Sequence, residues 1–209
     1  MILKNFLKIS KLPIIGIGPM SKNCVDASIE LSNEHNLSLM LIASRRQIES
    51  NELGRGYVNN WSTEEFSTYV LKKDKKKKII LCRDHGGPWQ NDRDKKQKLS
   101  LKSAMNSAKK SFKADIDNNF KIIHIDPSED PRKKILNDEK INRICELYEF
   151  CITYARKCKK EIFIEVNFGK EDGGIDSPSL LTKNFKKIKI FCEQNNFPFP
   201  TFMVIRNGN

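Results

Sequence analysis

The chain has 209 residues, 38% hydrophobic and 31% charged, which is enough for one compact domain with its own core. No window approaches the roughly 18 apolar residues of a membrane span, and the opening Met1 to Lys8 is too short and interrupted for a signal peptide. A net charge of +12 suggests a polyanion partner. The lysines, however, gather in solvated runs such as Lys72 to Lys78, without the interleaved aromatics of a stacking surface, so nucleic-acid binding is not expected.

Strand and helix patterns alternate along the chain. Pro13 to Gly18 forms a first predicted strand, and a helix follows over Val25 to Leu31. Leu37 to Ala43 is a second strand, and a long loop leads from Ser44 to Trp61. Ser62 and Glu65 have the spacing of a capping box opening a helix that carries Phe66, Tyr69 and Val70. Lys78 to Cys82 is the third strand, and polar Gln90 to Gln97 is predicted to be loop. Leu101, Ala104, Met105, Ala108 and Phe112 repeat with helical period. Phe120 to Ile125 is the fourth strand, and Ile141, Ile144, Cys145, Tyr148, Cys151 and Ile152 stripe the next helix. Glu161 to Val166 is the fifth strand, Ser177-Pro178 an N-cap followed by a first-turn proline, and Thr201 to Ile205 the sixth strand.

Three of these strands end on ionisable groups and a turn. The third delivers Asp84-His85-Gly86, the fourth gives His124-Ile-Asp126 before Pro127-Ser128-Glu129, and the fifth gives Glu165-Val-Asn167 before Gly169 and Glu171-Asp172-Gly173-Gly174. Such endings put the chemistry of a parallel β/α fold at one face. Glu165 needs a partner if buried, and Asp126 is either a turn cap or a site carboxylate. His124 is expected to be a packed, hydrogen-bonded core histidine. Arg45 and Arg46 either bind a substrate phosphate or supply a partner for Glu49. None of the six cysteines forms a CxxC pair, which removes zinc-knuckle and thioredoxin readings and fits small buried residues in a reducing, cytoplasmic compartment.

Four stretches together resemble the class II, metal-dependent fructose/tagatose-bisphosphate aldolase superfamily, above all its tagatose-bisphosphate aldolase accessory-subunit branch. They are Gln47 to Tyr57 with Trp61 and Glu64-Glu-Phe66, Asp84-His85-Gly-Gly-Pro88, His124-Ile-Asp126-Pro-Ser128-Glu129, and Glu165 with Gly169 and Glu171-Asp172-Gly173. The resemblance implies an α/β fold of the (β/α)8 barrel type, here incomplete with about six βα units in a single domain over 1–209. It implies metal-assisted aldol cleavage of a ketose phosphate, with a divalent cation, zinc by expectation, as Lewis acid. By position, His85 would be the metal ligand and Asp84 the acid/base, with Glu165 as a catalytic group near the metal. Ser21, Asn23, Arg45, Gln47, Asp126 and Ser128 would bind or support substrate.

The departures bear on activity. Gly208-Asn209 is similar to the opening of the family's Gly-Asn-x-His-Gly, so a C-terminally truncated member is expected. Asn167 stands where many catalytic members have a second glutamate, and one clear metal histidine stands where catalytic zinc needs three protein ligands. The expected partners are a sugar phosphate and either an aldolase catalytic subunit or a second copy of the chain, with no membrane. A non-catalytic accessory subunit and a basic polyanion binder are the competing functions.

Overall fold

The computed structural model describes residues 14–168 and 177–205. Within them lie six strands: β1 (Ile15–Ile17), β2 (Leu39–Ser44), β3 (Ile79–Gly86), β4 (Ile122–Ile125), β5 (Phe163–Asn167) and β6 (Phe202–Val204). Six α-helices connect them: α1 (Lys22–His35), α2 (Thr63–Lys73), α3 (Asp92–Lys96), α4 (Leu101–Asp117), α5 (Asn137–Lys157) and α6 (Pro178–Gln194). Every strand pairs in parallel with the next in sequence, giving the order β1-β2-β3-β4-β5-β6. A sheet wound in one direction keeps its crossover helices on one face and curls. The result is a parallel half-barrel with a helix-covered outer face and a concave inner face.

Local signals set the helix starts. Ser21 accepts from the Cys24 amide at α1, and Ser62 and Glu65 make the reciprocal capping box of α2. Ser177 accepts from the Leu180 amide at α6, with Pro178 in the first turn, where its missing N–H costs nothing. The segment expected to be loop at Gln90 to Gln97 contains α3. This five-residue helix has no apolar period; it is started by the Asn91 side chain, which accepts from the Asp94 amide.

Side-chain parity separates the two faces. On β2, Leu39, Leu41 and Ala43 are buried while Met40, Ile42 and Ser44 are partly exposed. The larger core cluster joins Leu41, Ala43, Leu81, Ile123, Ile125, Ile164 and Val166 to helix residues such as Ile29, Phe66, Phe112, Leu147 and Ile188. The smaller joins Ile80, Cys82 and Ile122 to Met40, Ile42, Phe163 and Phe202 on the inner face. Inside the outer layer sit the buried arginines Arg45, Arg83 and Arg143. Arg83 makes a bidentate pair with Asp115 at 2.8 and 2.6 Å and donates to the Ala43 and Ile48 carbonyls.

β3 runs four residues beyond its expected end at Cys82, through Arg83-Asp84-His85-Gly86. Arg83 faces Ile123 and Gly86 faces Ile125, so Asp84 and His85 together oppose His124. This bulge, with His85 at φ 43°, breaks the alternation and brings both side chains to the inner side. Gly86 then falls on the outer side, where a Cβ would lie 2.3 Å from the Phe112 ring and 2.5 Å from the His124 carbonyl. Only glycine fits there.

Candidate active site

The inner face encloses a cavity of about 300 Å³, at the small end of ligand-binding size. Met40, Ile42, Cys82, Ile122, Phe202 and Val204 give it an apolar floor, while Asp84, His85, His124, Glu165 and Asn167 gather at the C-terminal ends of β3, β4 and β5. In-order parallel strands bring these groups together, and the register sets His124 directly beside Glu165.

Asp126, just past β4, is fully buried and fully engaged. Its Oδ2 lies 2.6 Å from His85 Nδ1 and accepts from Gln90 Nε2 at 3.1 Å; its Oδ1 accepts from the Ser128 amide at 3.0 Å and Asn167 Nδ2 at 3.2 Å. Burial opposes its charge, but the bond to His85, the nearby His124 ring and the Ser128 bond outweigh burial and hold the carboxyl down at about 2. It therefore acts as a clamp that fixes the His85 ring.

Asp84 and Glu165 are driven apart. Burial opposes the Asp84 charge, yet the hydrogen bond to His124 and the nearby His85 hold its carboxyl below the usual range. Glu165 is pushed up, first by burial, which His124 opposes, and then by the neighbouring Asp84 charge. Two carboxyl groups in one cavity thus divide into an ionised one and one that retains its proton more readily, the division that acid–base chemistry uses.

His124, expected to be a satisfied core histidine, is only half so. The ring is 3% exposed, and its Nδ1 lies 3.2 Å from Asp84 Oδ1 and 3.2 Å from the His85 amide nitrogen. Its Nε2 is buried and meets no hydrogen-bonding partner among the described residues. A sequence signal for this existed: in Ile122-Ile-His-Ile, the parity that turns Ile122 inward turns His124 inward too.

The structure therefore brings Asp84, His85, Asp126, Ser128 and Glu165 together. It sends Arg45 elsewhere. That guanidinium is buried on the helix side, donating to Glu49 at 2.6 Å, the Gly87 carbonyl at 2.7 Å, Asp94 at 3.2 Å and Ser107 at 2.9 Å, so it has the Glu49 partner rather than an open face for phosphate. Arg46 is exposed and pairs with Asp92. Gln47 accepts from the Ser44 amide and reaches Met20, while Ser21 caps α1 and Asn23 lies exposed in its first turn. Gly169, Glu171, Asp172, Gly173, Gly174, Gly208 and Asn209 lie outside the described residues.

Zinc is the metal that the resemblance implies, with His85 as its ligand. Among the described residues no three His, Cys, Asp or Glu side chains are grouped to hold a metal ion. Nor is any described helix long and apolar enough to cross a membrane.

No protein-family model and no curated protein matches the chain. Among solved structures, it is similar to the crystal structure of a probable tagatose 6 phosphate kinase from Sinorhizobium meliloti 1021, with a TM-score of 0.68 and 16% identity. That likeness covers 88% of this chain and 46% of the other. The GH27 β-L-arabinopyranosidase of Geobacillus stearothermophilus, in complex with arabinose, aligns at a TM-score of 0.46 and 10% identity over 85% of this chain and 53% of its own. The chain thus spans about half the length of these structures, and at 16% identity the first likeness is one of fold alone, an α/β half-barrel.

Proposed function

We propose that this chain belongs to a class II aldolase-like (β/α)8 barrel protein that makes or breaks a carbon–carbon bond beside the carbonyl of a ketose phosphate. The observation that carries the reading is the placement of Asp84 and Glu165 on either side of His124, one carboxyl held ionised and the other pushed up. Retro-aldol cleavage takes a proton from the hydroxyl next to the breaking bond and returns one to the carbon left behind. Asp84 is the acceptor in this reading and Glu165 the donor. The name of the S. meliloti structure, a probable tagatose 6 phosphate kinase, associates the same kind of fold with a ketose phosphate and supports that substrate class. No step is assigned to zinc. The six free cysteines fit a cytoplasmic setting.

A second reading, an accessory subunit without turnover, is favoured by Asn167, which spends its amide on Asp126 where a catalytic member would have a carboxylate. A coupled assay for triose phosphate released from a ketose bisphosphate separates the two. The first reading expects turnover that falls about 10²–10⁴-fold in Asp84→Asn, whose shape is kept but which takes no proton. A folded protein without turnover, which instead raises the melting point of a co-expressed aldolase, supports the second.

A further inference from the structure

The two ends of the sheet treat their cations differently. At the C-terminal ends of the strands, around the candidate active site, basic groups find carboxylates: Arg46 with Asp92, Lys95 with Glu129, Arg132 with Asp130 and Lys133 with Glu139. At the N-terminal ends, the helix ends and turns leading into β3, β4 and β5 carry Lys72, the run Lys75 to Lys78, Lys121, Lys157 and Lys159. All of these but Lys78 are exposed, and none makes an ion pair among the described residues. Their neighbour Lys73 alone in that group is paired, with Asp26. Like charges so placed repel one another, and an anion held among them relieves that repulsion.

A run of lysines by itself is a solvated face, but here the lysines border a cavity of about 540 Å³, within the range of small-molecule sites. Leu71 at the end of α2, Ile79, Ile80 and Leu81 of β3 and Phe163 of β5 give it apolar walls, and Lys77 and Lys121 line it too. The acids in the lining are already engaged. Asp74 accepts from the Lys78 and Ile79 amides at 3.2 and 2.8 Å, and Glu161 has an interaction of its own. The ammonium groups therefore stand unneutralised beside an apolar wall, on which Leu71 is 50% exposed.

We propose that this cavity is a second binding site, for a soluble amphipathic anion: a small aliphatic or aromatic body carrying one phosphate or carboxylate head. The body buries apolar surface against Leu71, Ile79 and Phe163, and the head takes charge-assisted bonds from Lys77 and Lys121. The other lysines supply a field that draws the anion in. A nucleic-acid strand would use the lysines and leave the apolar wall empty. The site lies at the opposite end of the strands from Asp84 and Glu165, so it stands whether or not the chain cleaves a ketose phosphate.

The probes are octyl phosphate, 1-octanol and inorganic phosphate, read by calorimetry and by the methyl resonances of the full chain labelled at Ile and Leu. Octyl phosphate is expected to bind one to one and to shift Leu71 and Ile79. Octanol and inorganic phosphate, each with half of the recognition, should bind at least about tenfold weaker. Raising the salt should weaken octyl phosphate and leave octanol unchanged. Lys77→Gln with Lys121→Gln, both exposed positions, should keep the melting temperature and weaken octyl phosphate about tenfold. Inorganic phosphate binding as tightly as octyl phosphate overturns the site, because the lysines then suffice alone. Octanol binding as tightly overturns it too, because the lysines are then irrelevant. Shifts at Ile42 and Ile122 without Leu71 and Ile79 place the probe in the inner-face cavity and likewise overturn the proposal. If duplex DNA or phosphatidylglycerol vesicles bind while octyl phosphate moves neither Leu71 nor Ile79, the lysines form a macromolecular surface and the small-molecule site is wrong. If no probe moves Leu71 or Ile79, it is wrong as well.

Discussion

Arg83 and Asp84 are neighbours in the chain, and their side chains lie on opposite faces of β3 in opposite condition. Arg83 points into the helix layer, where Asp115 and two backbone carbonyls take up its guanidinium. Asp84 points to the inner face, where it shares one histidine nitrogen with a backbone amide and stands near a second carboxyl with a raised pKa. Arg45 repeats the first pattern with Glu49, Asp94 and Ser107, and His124, whose Nε2 meets no partner among the described residues, repeats the second. The contrast separates polar groups that the fold satisfies from polar groups that it leaves open. Both kinds are buried and ionisable, so burial alone does not distinguish them. What distinguishes them is whether the protein itself supplies the partners.

Breaking the outer face should cost most. Arg83→Met leaves the Asp115 carboxylate buried without its cation, and chemical denaturation should show a loss of about 3–5 kcal/mol. The double change Arg83→Met with Asp115→Leu should recover most of it, since an apolar pair of similar size leaves no stranded charge. A single variant within about 0.5 kcal/mol of wild type would show that the pair is not buried as described. Next comes the bulge between the faces. Gly86→Ala drives a methyl against the Phe112 ring and the His124 carbonyl, a clash that should cost about 3 kcal/mol and shift the His124 side-chain resonances. Unchanged stability in the Gly86→Ala variant would remove the argument that the bulge positions Asp84 and His85.

Asp126 sharpens the comparison because it is an inner-face carboxylate that is fully partnered. Its folded pKa of about 2 lies below the unfolded value of about 3.9, so its contribution is present above pH ~4 and is lost as pH falls towards 2. The shift corresponds to roughly 2 kcal/mol. Stability measured from pH 5 to pH 2 should therefore fall more steeply in wild type than in Asp126→Asn; parallel curves would contradict the clamp.

The sequence carried the sheet well because parallel strands announce themselves as apolar runs and their order follows the chain. The helices of the core carried clear 3.6-residue stripes and capping residues, as at Ser62 and Ser177. α3 was illegible because Asp92-Arg-Asp-Lys-Lys96 has no apolar face; it owes its place to Asp94, which meets Arg45 and Ser107. Arg83 is illegible for a similar reason: its partner lies 32 positions away, and no local pattern predicts that pairing. Of the site, Asp84, His85, Asp126 and Glu165 were visible as charged groups ending apolar strands. Arg45 was visible as an ambiguity that Glu49 resolves. His124 was visible only as a residue of the correct parity, because whether a buried histidine is satisfied at both nitrogens depends on neighbours from other strands.

The smallest expected effect is the one with the opposite sign. Glu165 lines the inner-face cavity and, among the described residues, lacks the hydrogen-bonding partners that Asp126 has; burial, with Asp84 behind it, raises its pKa. Between the unfolded and folded pKa values the folded protein holds more protons than the unfolded one, so this group makes stability fall as pH rises through that window. Above the window the ionised Glu165 is a net cost to the fold. Glu165→Gln keeps the shape and cannot ionise, so its stability should match wild type at acid pH and exceed it modestly at neutral pH. Asp126→Asn should do the reverse, losing stability at neutral pH and converging with wild type in acid. If Glu165→Gln is instead less stable at neutral pH, the carboxylate already has a partner in the protein, and the inner face would have to be regarded as structural in the same sense as the outer one.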